Sequence, residues 1–530
     1  MPGGSSQKLS GGLNMHLTRK EFLKLASAGA AGAAAGVFSP FLDAPRGFAE
    51  SVLESQHLRK IHDHIAQNKA RHIARVQEYL RQPSVSSWGL GMKECADLLM
   101  SYFKRLGCKE VELVKTDGHP GVWAWYDAGA PKTLAYYMMY DTQPFDEKQW
   151  SSPPLEANIV EMPPFGDVIM ARGAVNDKGA DAMVFNALDS ILEVVGKLPV
   201  NIMFTCDGEE EQGSTHFHQV LAPYLDRLKK CNAHLMLGPS QDEEGGIEVT
   251  LGYKGISSME LVCSGKAWGH GPQKRPIHSS RKAILDSPTW RLIKALNTMV
   301  KADGNQVLID GYYDAIRPPN EEETQLYEAL VSKFAGRLLV GEKENSKVWM
   351  NNWSEAEAVR HLVFDSSLNI DGLWSGYTGP GMATILPDRA AAKIDCRLVP
   401  NQEIAPTREL IRQHLDRHGY SDIEIVPIGG GDEWSQTSVK APVVQALLSV
   451  YKHYGIEPMV WPREAGSAPI AQFTRPPLNL PSVGGGLGHG SRAHSHDEYI
   501  VIEGNEKVAG IVRAEQSYVD ILYAYADWPT

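Results

Sequence analysis

The sequence predicts an α/β protein in which a larger, discontinuous domain with a mostly parallel sheet carries an inserted α+β domain. A chain of 530 residues is too long for one ordinary core. In its first half, short apolar runs flanked by Gly, Pro or Asp alternate with amphipathic runs, which favours parallel strands linked by helices. The pattern changes near Gly252 and returns to helix, strand and glycine-rich loop after Pro427.

The elements of the first half follow in order. Apolar residues at helical spacing predict helices in 51–81, 93–106 and 180–195. Short apolar runs predict four buried strands, at 110–114, 122–126, 133–140 and 200–206. Functional residues collect beyond the carboxyl ends of parallel strands. Asp141 and the acidic run 209–211 lie just past two such ends.

The second half supplies the insertion and the remainder of the larger domain. Its predicted strands are 257–263 and 390–398, and its predicted helices are 287–300, 321–334, 407–418, 442–454 and 505–526. The predicted division is therefore 51–252 and 428–530 for the larger domain and 253–427 for the insertion.

Residues 1–50 are predicted to be an export signal or N-terminal extension. Thr18-Arg19-Lys20 precedes a weakly apolar Ala/Gly stretch, and small residues near Ala49 suit cleavage by a signal peptidase. This order resembles a twin-arginine export signal, with Lys20 in the place of the second arginine, and implies a periplasmic or extracellular protein. A disordered or helical extension is the alternative. No other segment reaches about 18 apolar residues, so we expect no stable membrane span.

Composition excludes some classes of partner. The formal charge of −12 argues against nucleic acid, because phosphate binding needs clustered cations. Hydrophobic residues make up 43% and charged residues 22%, as in ordinary globular proteins. The six cysteines show no CxxC spacing, and we predict that they are buried free thiols.

Four stretches carry the chemistry of this sequence. An acidic run alone is usually a solvated turn, but 205–214 (TCDGEEEQGS) is accompanied by 139–144 (MYDTQP), 172–179 (RGAVNDKG) and 493–499 (AHSHDEY). Together they resemble the zinc metallopeptidase family of aminoacylases, carnosine dipeptidases and carboxypeptidase G-type enzymes. That family carries HxDxQP, GRGxxDxKG, EExGS and HxPxE in the same order. The resemblance runs from about Leu58 to the C-terminus.

The resemblance implies roles for residues that match the motifs. Glu210 matches the general base that activates the attacking water. Glu211 and His494 match ligands of the first zinc. Asp141 matches the carboxylate that orients a histidine ligand.

Three departures fall on metal ligands. That histidine is Met139 here, the bridging aspartate is Asn176, and the aspartate expected near 237–240 is missing, with Gly238 closest to its place. A thioether is a poor zinc ligand, so the second metal site should be empty, and Met139 alternatively fills core space. We expect one divalent metal ion, zinc, at Glu211 and His494. Asn176 can offer it a neutral carbonyl oxygen, and nearby His496 and Asp177 are possible substitutes.

The insertion resembles the family's lid domain, through which the subunits dimerise. His278 matches a histidine that reaches across the homodimer to the substrate carbonyl. Asn369 and Arg397 match residues that grip the substrate carboxylate. Gly466 and Ser467 match a loop that lines the same pocket. The implied partner is a small peptide or acyl-amino acid that bears a carboxylate.

Two functions are consistent with these residues. The first is an exported hydrolase that cleaves an amide bond next to a carboxylate, in a dipeptide or an N-acyl amino acid, with a reduced single-metal site. The alternative is a non-hydrolytic binding protein or a metal-independent enzyme on the same scaffold.

Overall fold

The computed structural model describes residues 53–339 and 345–529. The predicted export signal at 1–50 therefore lies outside the described residues. The α-helices are α1 (Gln56–Gln67), α2 (Lys69–Arg81), α3 (Met92–Leu106), α4 (Lys178–Val195), α5 (Phe217–Leu221), α6 (Leu225–Leu228), α7 (Gly265–Trp268), α8 (Pro288–Met299), α9 (Glu321–Lys333), α10 (Glu355–Phe364), α11 (Ile404–Arg417), α12 (Pro442–His453), α13 (Ala471–Thr474) and α14 (Ile511–Asp527).

The strands form five sheets within the described residues. They are β1 (Glu110–Val114), β2 (Gly121–Tyr126), β3 (Thr133–Met139), β4 (Asn158–Glu161), β5 (Asp167–Met170), β6 (Asn201–Asp207), β7 (Ala233–Leu237), β8 (Glu248–Thr250), β9 (Gly255–Ser264), β10 (Ile277–His278), β11 (Ser367–Ser375), β12 (Ile385–Leu386), β13 (Arg389–Leu398), β14 (Glu424–Pro427), β15 (Met459–Trp461), β16 (Ser482–Gly485), β17 (Gly490–Ser491) and β18 (Tyr499–Val501).

The largest sheet has the strand order β1-β2-β6-β3-β7-β16. Its four strands β6, β3, β7 and β16 pair in parallel, and β1 and β2 add an antiparallel edge. Helix α4 packs against α1, α2 and α14. The mostly parallel sheet is thus confirmed. Because the parallel strands end at one edge, Asp141, the acidic run and Gly238 lie at that edge.

A second sheet, the inserted sheet, has the order β11-β13-β9-β14 and is antiparallel throughout. Helices α8 and α11 pack on it, and its core contains buried Met259, Leu292, Ile394 and Ile411. All four strands come from the stretch predicted as an insertion. The domain boundaries themselves stay a prediction.

A third sheet, β17-β18-β5-β4, joins distant parts of the chain. Strand β18 pairs with β5, Tyr499 opposite Met170, which brings the 493–499 motif beside the 172–179 motif. Sequence analysis did not predict these strands. They have two to four residues each, too few to show a period of two.

The last helix begins later than predicted. It starts at Ile511 rather than at Asn505, because the Asn505 side chain accepts the N–H groups of Lys507 and Val508 and so closes a turn. The six cysteines are free, and all except the partly exposed Cys108 are buried, as expected.

Among the described residues, no helix combines the length and the hydrophobicity that crossing a membrane requires.

Candidate active site

The acidic turn is the short 3-10 helix Glu210–Gln212, which follows β6 at the carboxyl edge of the largest sheet. Asp141, fully buried beyond β3, accepts the Glu210 N–H through Oδ1 and the Glu211 N–H through Oδ2, both at 3.1 Å. Burial, and next the charge of Asp207, raise the pKa of Asp141 well above its usual range. Asp141 therefore fixes the backbone of the acidic turn. The matching carboxylate of the family orients a histidine, and Met139 stands in the place of that histidine here.

Nitrogen atoms surround the Glu211 carboxylate. Its Oε1 accepts from Asn176 Nδ2 at 2.8 Å, and its Oε2 accepts from Gln143 Nε2 at 2.8 Å. His494 Nε2 lies 3.1 Å from the same Oε2. The structure thus places Asn176 and His494 beside Glu211. Sequence analysis missed Gln143, although it is a letter of the HxDxQP motif.

The neighbouring carboxyl groups hold their protons to unusually high pH. Burial, and next the charge of Glu211, raise the pKa of Glu210 to about 9. The same two causes raise the pKa of Asp177 to about 7. A cation beside these groups would favour their ionised forms at lower pH.

Glu498 holds the loop that carries Asn176 and Asp177. It forms a buried ion pair with Arg172, 2.7 Å from Nη1 to Oε2. Its carboxylate also accepts the backbone N–H groups of three loop residues, Gly173, Val175 and Asn176. Sequence analysis gave Glu498 no role. The signal was present, because Glu498 is the last letter of HxPxE.

The side chains at the site do not supply the ligands that two metal ions would need. Met139 is 2% exposed and packs in a core cluster with Tyr137 and Trp123, and Gly238 offers no side chain. Within residues 53–339 and 345–529, no three or more His, Cys, Asp or Glu residues are grouped so that they could hold a metal. The side chains that remain as possible metal ligands are the Glu211 carboxylate and the His494 imidazole, with the Asn176 amide beside them. For one ion, the candidate ligands are therefore the Glu211 carboxylate, the His494 imidazole and the Asn176 amide oxygen.

The predicted carboxylate grip lies on the inserted sheet. Ser367 pairs with Arg397, and Asn369 pairs with Asp395, so Asn369 and Arg397 are diagonal neighbours on one face. Arg397 Nε is 3.3 Å from Asp395 Oδ2, and the Asn369 amide donates to Asp371 Oδ1 at 2.8 Å. Both donors can therefore turn toward an anion on that face.

Asp432 connects this grip to the acidic turn. Burial, and next the charge of Asp207 at the end of β6, raise the pKa of Asp432 to about 6, while the Ser467 hydroxyl and Arg397 oppose the rise. Ser467, Arg397 and Asp207 therefore all lie near Asp432. Gly466, which precedes Ser467, lines a cavity of about 810 Å³. Trp349, Trp353 and Trp461 line the same cavity.

His278 is exposed at the end of β10. In the described part of the chain its hydrogen-bond partners are the Ser280 hydroxyl, 2.9 Å from Nδ1, the Ser280 N–H, and the Thr384 hydroxyl, 3.3 Å from Nε2. Ser280 is two positions away, and Thr384 directly precedes β12, the strand that pairs with β10. The role predicted for His278 in a second subunit's site stays a prediction.

Comparison with known proteins agrees with this geometry. A sequence profile of peptidase family M20/M25/M40 matches residues 136–515. The Cys-Gly metallodipeptidase DUG1 of Candida albicans is 24% identical over 478 residues, covering 84% of this chain and 94% of that protein. The Beta-Ala-His dipeptidase of Homo sapiens is 26% identical over 357 residues, covering 64% of this chain and 65% of that protein. The structure of the M20 family metallo-carboxypeptidase Sso-CP2 from Sulfolobus solfataricus matches with a TM-score of 0.76 and 32% identity, covering 86% of this chain and 99% of that one.

Proposed function

The chain belongs to peptidase family M20/M25/M40 and is thus a hydrolase of peptide carbon–nitrogen bonds, and from this premise we propose that it cleaves dipeptides or N-acyl amino acids next to a terminal carboxylate. The relatives named for Cys-Gly and β-Ala-His substrates support the dipeptide class. The observation that carries the proposal is the acidic turn, where Glu210 lies beside the Glu211–His494 pair.

In this proposal each residue has a distinct task. Arg397 and Asn369 bind the substrate carboxylate and so orient the scissile bond toward the acidic turn. Glu210 takes a proton from the attacking water and passes it to the leaving amine. Asp141 keeps Glu210 and Glu211 in place through their backbone N–H groups.

One divalent ion, zinc, would be held by Glu211, His494 and the Asn176 amide. When bound there, such an ion supplies Lewis acidity toward the scissile carbonyl. The positive charge also favours ionised Glu210, whose pKa is otherwise raised to about 9.

We further propose export and dimerisation. The order of charged, apolar and small residues in 18–49 supports twin-arginine-type export to the periplasm or the cell exterior. Exposed His278 and the resemblance of the insertion to a lid domain support a homodimer. Sequencing the mature N-terminus and light scattering of the purified protein test these two points. A retained Met1 or a monomer would contradict them.

A non-hydrolytic role is the second candidate function. It is favoured by the joint replacements Met139, Asn176 and Gly238, and by the three nitrogens that already bond Glu211. Such a protein would bind a carboxylate ligand without cleaving it.

The test is a hydrolysis assay on protein purified without chelator. Cys-Gly, β-Ala-His and N-acetyl amino acids are incubated with wild type, with and without added zinc, and amine release is measured beside bound zinc. We expect release that requires zinc, at no more than one zinc per chain. Binding of these compounds without release under any condition would favour the second candidate.

A further inference from the structure

A polar cavity of about 230 Å³ lies beyond the carboxyl ends of β7 and β16. We call it the Asp181 cavity. Its wall includes Val175 and Asp177 of the 172–179 motif and Gly238, the position nearest the missing metal ligand. The Asp181 cavity therefore adjoins the acidic turn on the side where the second metal site of the family has been lost.

The lining of the Asp181 cavity is acidic. Three carboxyl groups, those of Asp177, Asp181 and Glu248, belong to its wall, and no Lys, Arg or His is among the described residues that line it. Hydroxyl groups, including those of Ser240 and Tyr253, complete the polar surface. Such a lining matches a ligand that carries positive charge.

One oxygen of these carboxyl groups has no hydrogen-bond partner among the described residues. Asp181, on α4, is 4% exposed, and its Oδ2 makes no hydrogen bond in the part of the chain that the structure describes. The Tyr137 hydroxyl, on another part of the wall, is also buried without a partner among those residues. Buried polar atoms of this kind are uncommon, because leaving them unpaired costs free energy. A bound donor near Asp181 would satisfy its Oδ2.

The space in the Asp181 cavity depends on Gly238. A Cβ built there would meet only the Ala180 Cβ, at 3.7 Å, so the position itself has room for a side chain. The three carboxyl groups of the wall are not grouped as metal ligands, since no described cluster meets that requirement. Their spread around a cavity suits an organic cation better than a metal ion.

We propose that the Asp181 cavity binds a primary ammonium group on a short alkyl chain, with Asp181 as its principal acceptor. An ammonium has three N–H donors and forms strong charge-assisted hydrogen bonds with carboxylates. This inference rests on the proposed function where it names the substrate: a dipeptide whose N-terminal residue has a basic side chain. The ligand's charge occupies the region where the family would place a second metal ion.

Asp181 favours the neutral, protonated form unless a cation lies beside it. Burial, and next the charge of Asp177, raise the pKa of Asp181 well above its usual range. A bound ammonium favours the ionised carboxyl, because opposite charges at short distance stabilise each other.

Calorimetric titration with 1,4-diaminobutane tests the cavity without requiring hydrolysis. We expect saturable binding to wild type, about 10- to 100-fold weaker binding to Asp181→Asn, and unchanged binding to Asp226→Asn, a control at an exposed aspartate. Gly238→Val, which fills the cavity and alters no charge, should also abolish binding. No binding to wild type, or equal binding to wild type and Asp181→Asn, overturns the inference.

A second measurement separates this inference from the proposed function. The kcat/KM values of Lys-Gly and norleucyl-Gly are compared, since the two dipeptides differ by a charge at nearly equal size. We expect Lys-Gly to be preferred by about 10-fold or more, and the preference to disappear in Asp181→Asn. Diamine binding without any peptide hydrolysis would leave the cavity assignment standing and refute the proposed function. Hydrolysis without preference and without diamine binding would do the reverse.

Discussion

The two sides of the acidic turn differ in how their polar groups are satisfied. On the His494 side, the Glu211 carboxylate is bonded by Asn176 and Gln143 and lies 3.1 Å from His494 Nε2. On the Gly238 side, a cavity of about 230 Å³ is faced by Asp181, whose Oδ2 lacks a partner among the described residues.

The difference shows what replaces a lost metal ligand. On the His494 side, a neutral amide stands where the family has an aspartate, and its N–H donors bond the carboxylate that remains. On the Gly238 side, the lost ligand leaves only space, and buried carboxyl groups still face it. The Glu211 carboxylate thus has nitrogen partners within the protein, whereas ionised Asp181 would be stabilised by a cation from outside it.

Restoring the lost ligands should produce the largest change, because it would erase the difference between the two sides. Met139→His, Asn176→Asp and Gly238→Asp together rebuild the family's second site, and Gly238 has room for the new Cβ. We expect bound zinc to rise from at most one ion per chain to two, measured by elemental analysis after dialysis. The double variant without Gly238→Asp is the control and should stay at one. An unchanged content in the triple variant would show that other residues block the site.

Removing Glu498 should be the next largest effect, because Glu498 holds the loop that both sides share. Glu498→Ala leaves the Arg172 guanidinium buried and three backbone N–H groups without an acceptor. We expect a loss of about 3–5 kcal/mol in the free energy of unfolding, measured by urea denaturation. Glu503→Ala, which breaks an exposed ion pair with Lys69, should cost less than about 1 kcal/mol. Similar losses in both variants would argue against a structural role for Glu498.

Substituting Glu210 should separate chemistry from metal binding on the His494 side. Glu210→Gln keeps the side-chain shape and removes its basicity, so turnover should fall about 100-fold or more while zinc content and ligand affinity survive. Glu211→Gln should instead lose zinc and activity together. Both variants are assayed for turnover, affinity and zinc in one experiment. Full activity in Glu210→Gln would refute its role as the base.

Substituting Arg397 should have the smallest effect, since it acts on substrate binding alone. Arg397→Ala removes a charged hydrogen bond to the substrate carboxylate, worth about 1.5–3 kcal/mol. Binding of carboxylate ligands should weaken about 10- to 100-fold, and binding of their amide analogues should change little. Calorimetry on a matched acid and amide pair measures this. Equal weakening for both would indicate that Arg397 is structural.

Sequence alone predicted the parallel part of the fold and one side of the site. The strands 133–139 and 201–207 are apolar runs long enough to recognise, and the motifs that follow them lie where parallel strands end. The grouping of Glu211, His494 and Asn176 followed from motif order. Gln143 and Glu498 belong to the same motifs and could have been assigned roles.

The Gly238 side could not be predicted in the same way. Helix α4 was expected, but whether Asp181 faces a cavity depends on how β7 and β16 pair, and residues from Tyr137 to Gly485 contribute to the wall. Local periodicity carries no information about such distant pairing. The third sheet was missed for a related reason, since β18 finds its partner β5 more than 300 positions earlier.

The pairing of Arg172 with Glu498 also sets when the site can form. The two residues are 326 positions apart, so at about 5–20 residues per second a ribosome needs roughly 15–65 s to add the second after the first. His494 arrives in the same late stretch of synthesis. Until then the loop that carries Asn176 lacks the carboxylate that organises it. A partly made chain that stops before Glu498 therefore lacks the acceptor that organises this loop.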